Sequence, residues 1–432
     1  MRTLFTAAFL VLACGTVLAA EPPLPRMEEV IQYYVGTNLF MGTVLVAKGN
    51  DVILDKAYGS ADLEWNVANT VDTKFRIGSL TKQFTAASVI LLEERGKIKI
   101  SDPIRKYLPD LPDAWDKVTV FHLLTHSSGI YNYTSLPSAE WMRLNPTHAQ
   151  LIDRIKDKPL DFAPGEKYSY SNTGYHVLGM LIEKVSGQSY ANFLQDNIFT
   201  PLGMKDTGYE TEAAILPHRA QGYLLRNGEL IHAPFLDMTV PFAAGGLYST
   251  THDLLAWQKA LFAGKVVKRA SFEKMITPYK DDYAFGLSVK SKDGHRAIGH
   301  DGGINGFTSK IITLPDDGYT VIILNNAQGV TNSISDKLIS VLFGKPVILP
   351  SERKEVSVNA KSLARYVGRY ELQPNFVLQI DLDGSALTSQ VTGQPKNKLF
   401  AESPTNFFTR NFDSQISFVA EGDGPASALL LQ

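Results

Sequence analysis

Hydrophobic and polar positions alternate in residues 42–59, "GTVLVAKGNDVILDKAYG", on both sides of Gly49-Asn50. This alternation predicts two β-strands joined as a hairpin. Residues 284–327 contain further apolar stretches separated by "KDG" and "PDDG", which indicate strands and turns. The uninterrupted "VIIL" in this region predicts a strand that is buried on both faces.

A helical pattern lies between these two strand-rich regions. The run from Leu80 to Leu92 predicts a helix, and mixed helical and turn-rich segments extend to about residue 270. A further helix is predicted at about 331–343. Because strands precede and follow the helices, we expect one sheet covered by helices, in the α/β or α+β class.

The C-terminal part of the chain has a different pattern. Residues 344–360, "GKPVILPSERKEVSVNA", contain two prolines and a charge cluster and are interpreted as a linker. From Leu363 onward, short strands alternate with Asp-Gly or Pro-containing turns, which predicts a small, barrel-like antiparallel β domain. We therefore predict a main domain at 21–343, a linker at 344–360 and the β domain at 361–432.

The N-terminus has the pattern of a signal peptide at 1–20. Arg2 precedes an apolar run from Leu4 to Ala20, which ends in "VLAA" before Glu21. We expect cleavage near Ala20 and an exported protein, periplasmic or secreted, with no membrane span after cleavage. A lipoprotein anchor at Cys14 is the alternative, although the apolar run continues past it. Since Cys14 is the only cysteine, the cleaved chain would use neither disulfides nor cysteine catalysis.

The composition allows a packed core and gives no support for a nucleic-acid partner. The chain has 432 residues, of which 44% are hydrophobic and 20% are charged. Its 42 Lys and Arg residues nearly balance 44 Asp and Glu residues, for a formal net charge of −2. We expect a small-molecule or peptide substrate, with no metal or other cofactor; the sequence makes no prediction of the oligomeric state.

Several familiar catalytic motifs are incomplete or missing in the sequence. His122 and His126 have a spacing that suits two zinc ligands on a helix, but Leu123 stands where the general-base glutamate would be. We interpret both as helix-end and turn histidines. The "HDGG" at 300–303 is similar to the oxyanion loop of lipases, yet no G-x-S-x-G nucleophile motif occurs. No G-x-x-x-x-G-K-[ST] phosphate-binding loop occurs either.

The stretch "FRIGSLTKQFTA" at 75–86 places Ser79 one helical turn before Lys82. At a helix N-terminus, free backbone N–H groups stabilise an oxyanion, and burial disfavours the charged form of a lysine. This pair suits nucleophilic acyl transfer, in which the amine accepts the serine proton. On its own, S-x-x-K is more often an N-cap serine followed by a solvated lysine.

Two further segments add groups of the same chemistry. Tyr170 and Asn172, in "YSN", begin another helical stretch; a tyrosine hydroxyl can relay a proton near a cation, and an asparagine can hold a substrate amide. His300-Asp301-Gly302, in "GHDGGINGF", lies in the strand-rich region, where glycines let a ligand approach the backbone. Taken one at a time, these residues have simpler structural explanations: a tyrosine in the core, an asparagine in a turn and a glycine-rich hairpin.

Taken in order, the three motifs resemble the serine β-lactamase and penicillin-binding-protein superfamily, in the branch with class C β-lactamases, DD-peptidases, D-aminopeptidases and esterases. The stretches "LLTHSSGI" (123–130), 170–204 and "GGLYSTTHDLLAWQKALF" (245–262) are similar to the same branch. The resemblance covers roughly 27–343. It implies an antiparallel sheet flanked by helices and an all-helical subdomain, and the tail from about 361 is similar to the small β domain of some members.

The resemblance also implies roles for individual residues. Ser79 would be the acylated nucleophile, Lys82 its proton partner and Tyr170 a second general acid/base. Asn172 would contact the substrate amide. The backbone N–H groups of Ser79 and Gly303 would form the oxyanion hole.

His300 and Gly302 would contact substrate, but His300 stands where class C β-lactamases have a lysine. A histidine is largely neutral near pH 7 unless its pKa is shifted, and Asp301 beside it adds negative charge. Both features weaken the case for an anionic substrate and for efficient β-lactam hydrolysis. If His300 anchors a substrate carboxylate as imidazolium, activity on such substrates should fall as pH rises through about 6–7.

We therefore expect a serine hydrolase that forms an acyl-enzyme on Ser79. The activity that we rank first is that of a peptidase or amidase, of DD-carboxypeptidase or D-aminopeptidase type, which acts on D-amino-acid peptides or peptidoglycan fragments. A carboxylesterase comes second and a β-lactamase third. The alternative from another class is a non-catalytic penicillin-binding or sensor module, against which the intact Ser79, Lys82 and Tyr170 argue.

Overall fold

The structure is a computed structural model that describes residues 24–431, apart from 138–139, 227, 374–375, 393–395, 411–412, 421 and 423. The signal peptide predicted at 1–20 and Cys14 lie outside the described residues, so both N-terminal hypotheses stay predictions. Within the described residues, no helix has the length and apolar character needed to cross a membrane.

A six-stranded antiparallel sheet is the centre of the main domain, and its strands come from both ends of that domain. Its strands are β1 (Gly42–Lys48), β2 (Asp51–Tyr58), β3 (Ser288–Lys292), β4 (His295–Ile304), β5 (Phe307–Leu314) and β6 (Tyr319–Asn325). The spatial order is β3-β4-β5-β6-β1-β2. The hairpin predicted around Gly49 forms as β1 and β2, and Gly49 adopts φ +56°, which glycine allows without strain.

Helices cover both faces of this sheet. They are α1 (Leu24–Gly36), α2 (Thr81–Glu94), α3 (Val120–Leu124), α4 (His148–Asp153), α5 (Asn172–Ser186), α6 (Tyr190–Leu194), α7 (Thr200–Leu202), α8 (Phe242–Gly245), α9 (Thr251–Phe262), α10 (Arg269–Met275), α11 (Thr331–Leu342) and α12 (Ala360–Leu363). The region between β2 and β3 contains helices α2 to α10, which agrees with the helical subdomain that the resemblance implied. Short strand pairs also occur there: Ser60–Asp62 with Val67–Ala68, Phe75–Arg76 and Gly208–Tyr209 with Leu247–Ser249, and Tyr223–Arg226 with Glu229–His232.

Alternate residues of the central strands point into two separate cores. In β1, Val44 and Val46 pack with α1 and α11, whereas Leu45 belongs to the core on the opposite face, where α9 contacts β1 and to which α2 also contributes. Because successive side chains of a strand point to opposite faces, a strand with both faces buried is apolar throughout. This explains why "VIIL" in β6 has no polar positions, and it places α2, which carries Lys82, under one face of the sheet.

In the residues of the tail that the structure describes, eight short antiparallel strands form two four-stranded sheets. The first sheet contains β7 (Gly368–Gln373), β8 (Phe376–Asp383), β9 (Ala386–Val391) and β10 (Asn397–Lys398). The second contains β11 (Phe400–Ala401), β12 (Asn406–Phe408), β13 (Gln415–Val419) and β14 (Ala428–Leu431). Side chains of both sheets share one small core around Tyr366 and Phe418, whose rings stack 4.4 Å apart.

The tail contacts the helices on the sheet face opposite α2. Asp413 accepts a hydrogen bond from the hydroxyl of Tyr34 in α1 at 2.9 Å and pairs with Lys337 of α11 at 2.5 Å. The sheet flanked by helices, followed by small antiparallel sheets, confirms the predicted fold class. The domain and linker boundaries stay predictions.

Candidate active site

Ser79 lies in a 3₁₀ turn, Gly78–Leu80, directly before α2. Gly78 adopts φ +50°, and a Cβ atom at this position would lie 3.0 Å from both N and O of Gly303. A side chain would therefore be strained and crowded, so glycine lets this turn approach the end of β4. The result is a half-buried serine hydroxyl between the sheet edge and the helical region.

The Lys82 amine is fully buried under Ser79. Its Nζ lies 3.1 Å from Oγ of Ser79, 2.8 Å from Oδ1 of Asn172 and 2.8 Å from the carbonyl oxygen of Ala244. Burial lowers the pKa of Lys82 well below its usual value, and the charge of Asp301 offsets part of that effect.

The hydrogen-bond partners of Lys82 suit a neutral amine. The oxygens of Asn172 and Ala244 can only accept, so they take two N–H donors. Ser79 can donate as well as accept, so a neutral Lys82 can direct its lone pair at the serine proton. The arrangement is therefore that of a general base beside a nucleophile.

Tyr170 approaches Ser79 from the other side. Its hydroxyl lies 2.8 Å from Oγ of Ser79, and its ring lies 4.7 Å from Nζ of Lys82. Burial raises the pKa of Tyr170 above its usual value, although the hydrogen bond to Ser79 acts in the opposite direction. The phenol is therefore protonated at neutral pH and able to donate. Burial lowers the pKa of the neighbouring Lys82, so the amine favours a phenolate at Tyr170 only after it has taken up a proton.

Asn172 begins α5 and is oriented by the loop that follows α3. Its backbone N–H donates to Oδ1 of Asn132 at 3.2 Å, and its Nδ2 lies 3.4 Å from Oγ1 of Thr134. Its Oδ1 is occupied by Lys82. The side-chain amide thus links the buried base to the partly exposed surface of the site.

His126 contacts the segment that carries Tyr170 at three points, a role that the sequence argument missed. Its Nδ1 accepts a hydrogen bond from the N–H of Ser171 at 3.1 Å, and its carbonyl oxygen accepts one from the N–H of Ser169 at 2.9 Å. Its ring packs on that of Tyr170, with centroids 4.2 Å apart. The only signal in the sequence was "LLTHSSGI", which indicated a turn; the structure has that turn, with φ +54° at His126.

The imidazole of His300 is buried and hydrogen-bonded as a neutral ring. Its Nδ1 donates to the carbonyl oxygen of Asp301 at 2.5 Å, and its Nε2 accepts from the hydroxyl of Tyr283 at 3.0 Å. The pKa of His300 is lowered to about 4, chiefly by burial and to a smaller extent by Lys82, while Asp301 acts in the opposite direction. The sequence-based hypothesis of an imidazolium that titrates at pH 6–7 therefore lacks support.

The end of β4 presents Gly303 to the Ser79 turn. Asn305 and Gly306 form a two-residue turn, so Ile304 and Phe307 are a hydrogen-bonded pair. In an antiparallel ladder such pairs alternate, so the N–H of Gly303 points away from β5, towards the free edge next to Gly78. This is the orientation that an oxyanion donor needs.

Gly302 is required for packing. A Cβ atom there would overlap the carbonyl oxygen of Ile77 and Oγ of Ser309, two atoms that share a hydrogen bond of 2.8 Å. The next residue, Gly303, has free space where its Cβ would lie. The two adjacent glycines thus have different functions: one allows close packing and the other offers its backbone N–H.

The structure brings all seven sequence-predicted site residues to one region. Ser79, Lys82, Tyr170 and Asn172 form a continuous hydrogen-bonded chain, and His300 follows behind Tyr170, with ring centroids 6.3 Å apart. Gly302 and Gly303 form the adjoining strand edge. Within residues 24–431, as far as they are described, no group of three or more His, Cys, Asp or Glu side chains could hold a metal ion.

Comparison with known proteins agrees with this geometry. Residues 29–340 match the family model described as Beta-lactamase, and residues 352–432 match a domain of unknown function, DUF3471. Penicillin-binding protein 4* of Bacillus subtilis (strain 168) is 30% identical over 423 residues, which cover 91% of this chain and 93% of that protein. Teichoic acid D-alanine hydrolase of Staphylococcus aureus is 30% identical over 317 residues, which cover 71% and 75%.

A solved structure, a D-stereospecific amidohydrolase from Streptomyces sp., has the same fold. The TM-score is 0.65 at 28% sequence identity, and the match covers 75% of this chain and 100% of that chain. Because the family match spans most of the chain, the protein belongs to the Beta-lactamase family. It is a serine hydrolase of this family, because the family match, the hydrolase names of its relatives and the sequence analysis all agree on this class of enzyme.

Proposed function

We propose that the protein is an exported hydrolase that forms an acyl-enzyme on Ser79 and acts on D-amino-acid amides and peptides. The observation that supports this most directly is the position of Oγ of Ser79, which lies 3.1 Å from Nζ of Lys82 and 2.8 Å from the hydroxyl of Tyr170. A nucleophile held between a neutral base and a protonated acid can be activated on one side while its leaving group is protonated on the other.

Acylation follows from these contacts. The hydroxyl proton of Ser79 moves to Nζ of Lys82 as Oγ bonds to the acyl carbon, and the N–H groups of Ser79 and Gly303 stabilise the oxyanion. The bond to the leaving group then breaks, and that group takes the proton of Tyr170. The resulting phenolate lies 4.7 Å from the ammonium of Lys82, measured from Nζ to the ring centroid, and recovers its proton from it.

Deacylation reverses the same proton path. A water molecule at the position of the departed leaving group gives a proton to Tyr170 while Tyr170 passes its own proton to the neutral amine of Lys82, and the resulting hydroxide attacks the acyl carbon. The bond between that carbon and Oγ of Ser79 then breaks, and Oγ takes its proton from the ammonium of Lys82. Each residue thus acts once as acid and once as base, as microscopic reversibility requires.

The charges of the site favour amidase or esterase chemistry over hydrolysis of β-lactams. Lys82 is buried and hydrogen-bonded, and His300 is neutral at pH 7, so neither is available to hold a carboxylate on the leaving group. Asp301 is 63% exposed at the edge of β4, and its carboxylate lies 3.9 Å from the amine of Lys310, which offsets part of its charge. The hydrolase names of the relatives, a D-alanine hydrolase and a D-stereospecific amidohydrolase, support the choice of D-configured substrates.

The proposal is tested by steady-state turnover of D- and L-phenylalaninamide and of p-nitrophenyl acetate by the purified chain and by Ser79→Ala. We expect multiple turnovers of the ester and of the D-amide, and no turnover by the variant. Turnover of the ester without either amide would favour the carboxylesterase. A single stoichiometric burst would favour a sensor module, and rapid clearance of nitrocefin would make the β-lactamase the leading assignment.

A further inference from the structure

A cavity of about 390 Å³ lies beside the turn that follows β4. Asn305, Phe307, Leu216 and Phe235 are among the residues that line it. Asn305 is two residues beyond Gly303, so the cavity begins about 7 Å along the strand from the candidate oxyanion donor. A substrate bound at Ser79 can therefore extend into it.

The floor of the cavity is charged. Arg76, three residues before Ser79, donates from Nε and Nη2 to Glu210 at 3.0 and 2.8 Å, and both side chains are buried. Arg219 approaches the same carboxylate, with its Nε 2.9 Å from Oε1 of Glu210. Two guanidinium groups thus share one buried carboxylate, and the second carboxylate near Arg219 is that of the exposed Glu212.

Arg219 is the guanidinium with unused donors. Its Nε–H is buried and, among the described residues, has no partner in hydrogen-bond geometry despite its closeness to Glu210. Burial lowers the pKa of Arg219, and Glu210 opposes this only in part. The other charged groups at the cavity are Glu212 on the exposed rim and His232, which pairs with Glu64. The Arg219 side chain is 27% exposed, so its guanidinium can reach an anion in the cavity, and its partial burial makes that contact stronger than one in open solvent.

The cavity lies on the acyl side of the site. The leaving group departs next to Tyr170, which protonates it, and His300 lies at that same end of the strand edge. Gly303 is at the centre, and Asn305 follows at the opposite end. Because the leaving group must be next to Tyr170, we expect the substituent of the acyl carbon to extend along the strand edge past Gly303, towards Asn305 and the cavity.

We propose that this cavity is an acyl-side subsite in which Arg219 binds a carboxylate of the substrate, as the side chain or terminal group of an acidic peptide would supply. The subsite rests on the proposed function, because it assigns the acyl part of the same substrate. The bound carboxylate accepts hydrogen bonds from Arg219 and completes the pairing that Glu210 begins. It takes no part in bond making or breaking.

The test uses two substrates that differ by one carboxylate on the acyl side, N-succinyl-D-alanine p-nitroanilide and N-butyryl-D-alanine p-nitroanilide. We expect kcat/KM for the succinyl compound to exceed that for the butyryl compound by about tenfold, the size of one partly desolvated ion pair. Arg219→Met should remove most of this preference. The control Arg369→Met removes an exposed arginine from the tail and should keep it.

A second variant guards against misfolding of Arg219→Met. Glu212→Gln removes an exposed carboxylate from the rim and should raise the succinyl preference about twofold, because repulsion of the ligand is relieved. Equal kcat/KM for the two substrates in the unchanged protein, or a preference that survives Arg219→Met in folded protein, would overturn the subsite. If neither substrate is turned over, that result counts against the proposed hydrolase activity and not against the subsite. The subsite is then tested by calorimetry, which compares binding of N-succinyl-D-alanine to Ser79→Ala with its binding to the Ser79→Ala, Arg219→Met double variant.

Discussion

The N–H of Ser171 donates a hydrogen bond to Nδ1 of His126 at 3.1 Å, and this contact fixes the residue next to Tyr170. The φ of +54° at His126 is one that asparagine tolerates, and an asparagine amide can also accept from Ser171. We therefore predict that His126→Ala lowers kcat about 10²-fold, because Tyr170 loses its orientation. His126→Asn should recover much of the loss.

This comparison separates positioning from general destabilisation. Both variants lose the imidazole ring that packs on Tyr170, but only the alanine variant loses the side-chain acceptor. Thermal unfolding measured beside kcat shows whether activity follows stability. If the two variants have the same kcat, the hydrogen bond to Ser171 is not what positions Tyr170.

Tyr170→Phe keeps the ring packing and removes the proton donor that lies 2.8 Å from Ser79. We predict a loss of about 10²-fold or more in kcat, the size typical of general acid–base catalysis. The loss should be smaller for p-nitrophenyl esters than for amides, since p-nitrophenolate departs without protonation. Near-normal kcat on amides would remove Tyr170 from the proposed proton path.

We predict that substitution by alanine affects stability differently at the two adjacent glycines of β4. Gly302→Ala forces a Cβ into the carbonyl oxygen of Ile77 and should destabilise the fold by about 1–3 kcal/mol, with loss of activity. Gly303→Ala has free space and should unfold at nearly the same temperature as the parent protein. Equal losses in melting temperature, measured by calorimetry, would contradict the packing role of Gly302.

The buried, neutral His300 predicts an acid-sensitive fold. Its pKa is lowered from 6.5 to about 4, chiefly by burial, so the unfolded chain binds this proton more readily between these two values. The free energy of unfolding should therefore fall as pH decreases from about 6.5 to 4, by up to about 3 kcal/mol from this residue. Urea unfolding of the parent protein and of His300→Asn across that range measures the difference. A pH dependence that is identical in both proteins would show that His300 does not contribute.

Much of the fold was accessible from local patterns in the sequence. The hairpin at Gly49 and the helix expected from Leu80 to Leu92, observed as Thr81–Glu94, follow from periodicity and turn residues that act over a few positions. The three motifs also identified side chains that the structure brings together. These groups have fixed chemistry at fixed spacing, so a single sequence reveals them.

The contacts that the sequence could not reveal depend on backbone atoms and long-range packing. The carbonyl oxygen of Ala244 accepts from Lys82, and no residue type encodes a carbonyl position. The contact of His126 with Ser171 joins segments 45 residues apart. The pKa of His300 is lowered chiefly by burial, which the sequence does not reveal, so the pH hypothesis drawn from the sequence stays a prediction that the buried ring does not favour.

The central claim, a covalent acyl-enzyme on Ser79, is tested most directly by intact-protein mass spectrometry during turnover of p-nitrophenyl acetate. Acid quenching should reveal one added acetyl group, and peptide mapping should locate it on Ser79. Ser79→Ala should show neither the adduct nor turnover, while penicillin should form a slower and longer-lived adduct on the same residue. Turnover by Ser79→Ala at the rate of the parent protein, or an acetyl group located on another residue during turnover, would contradict the account.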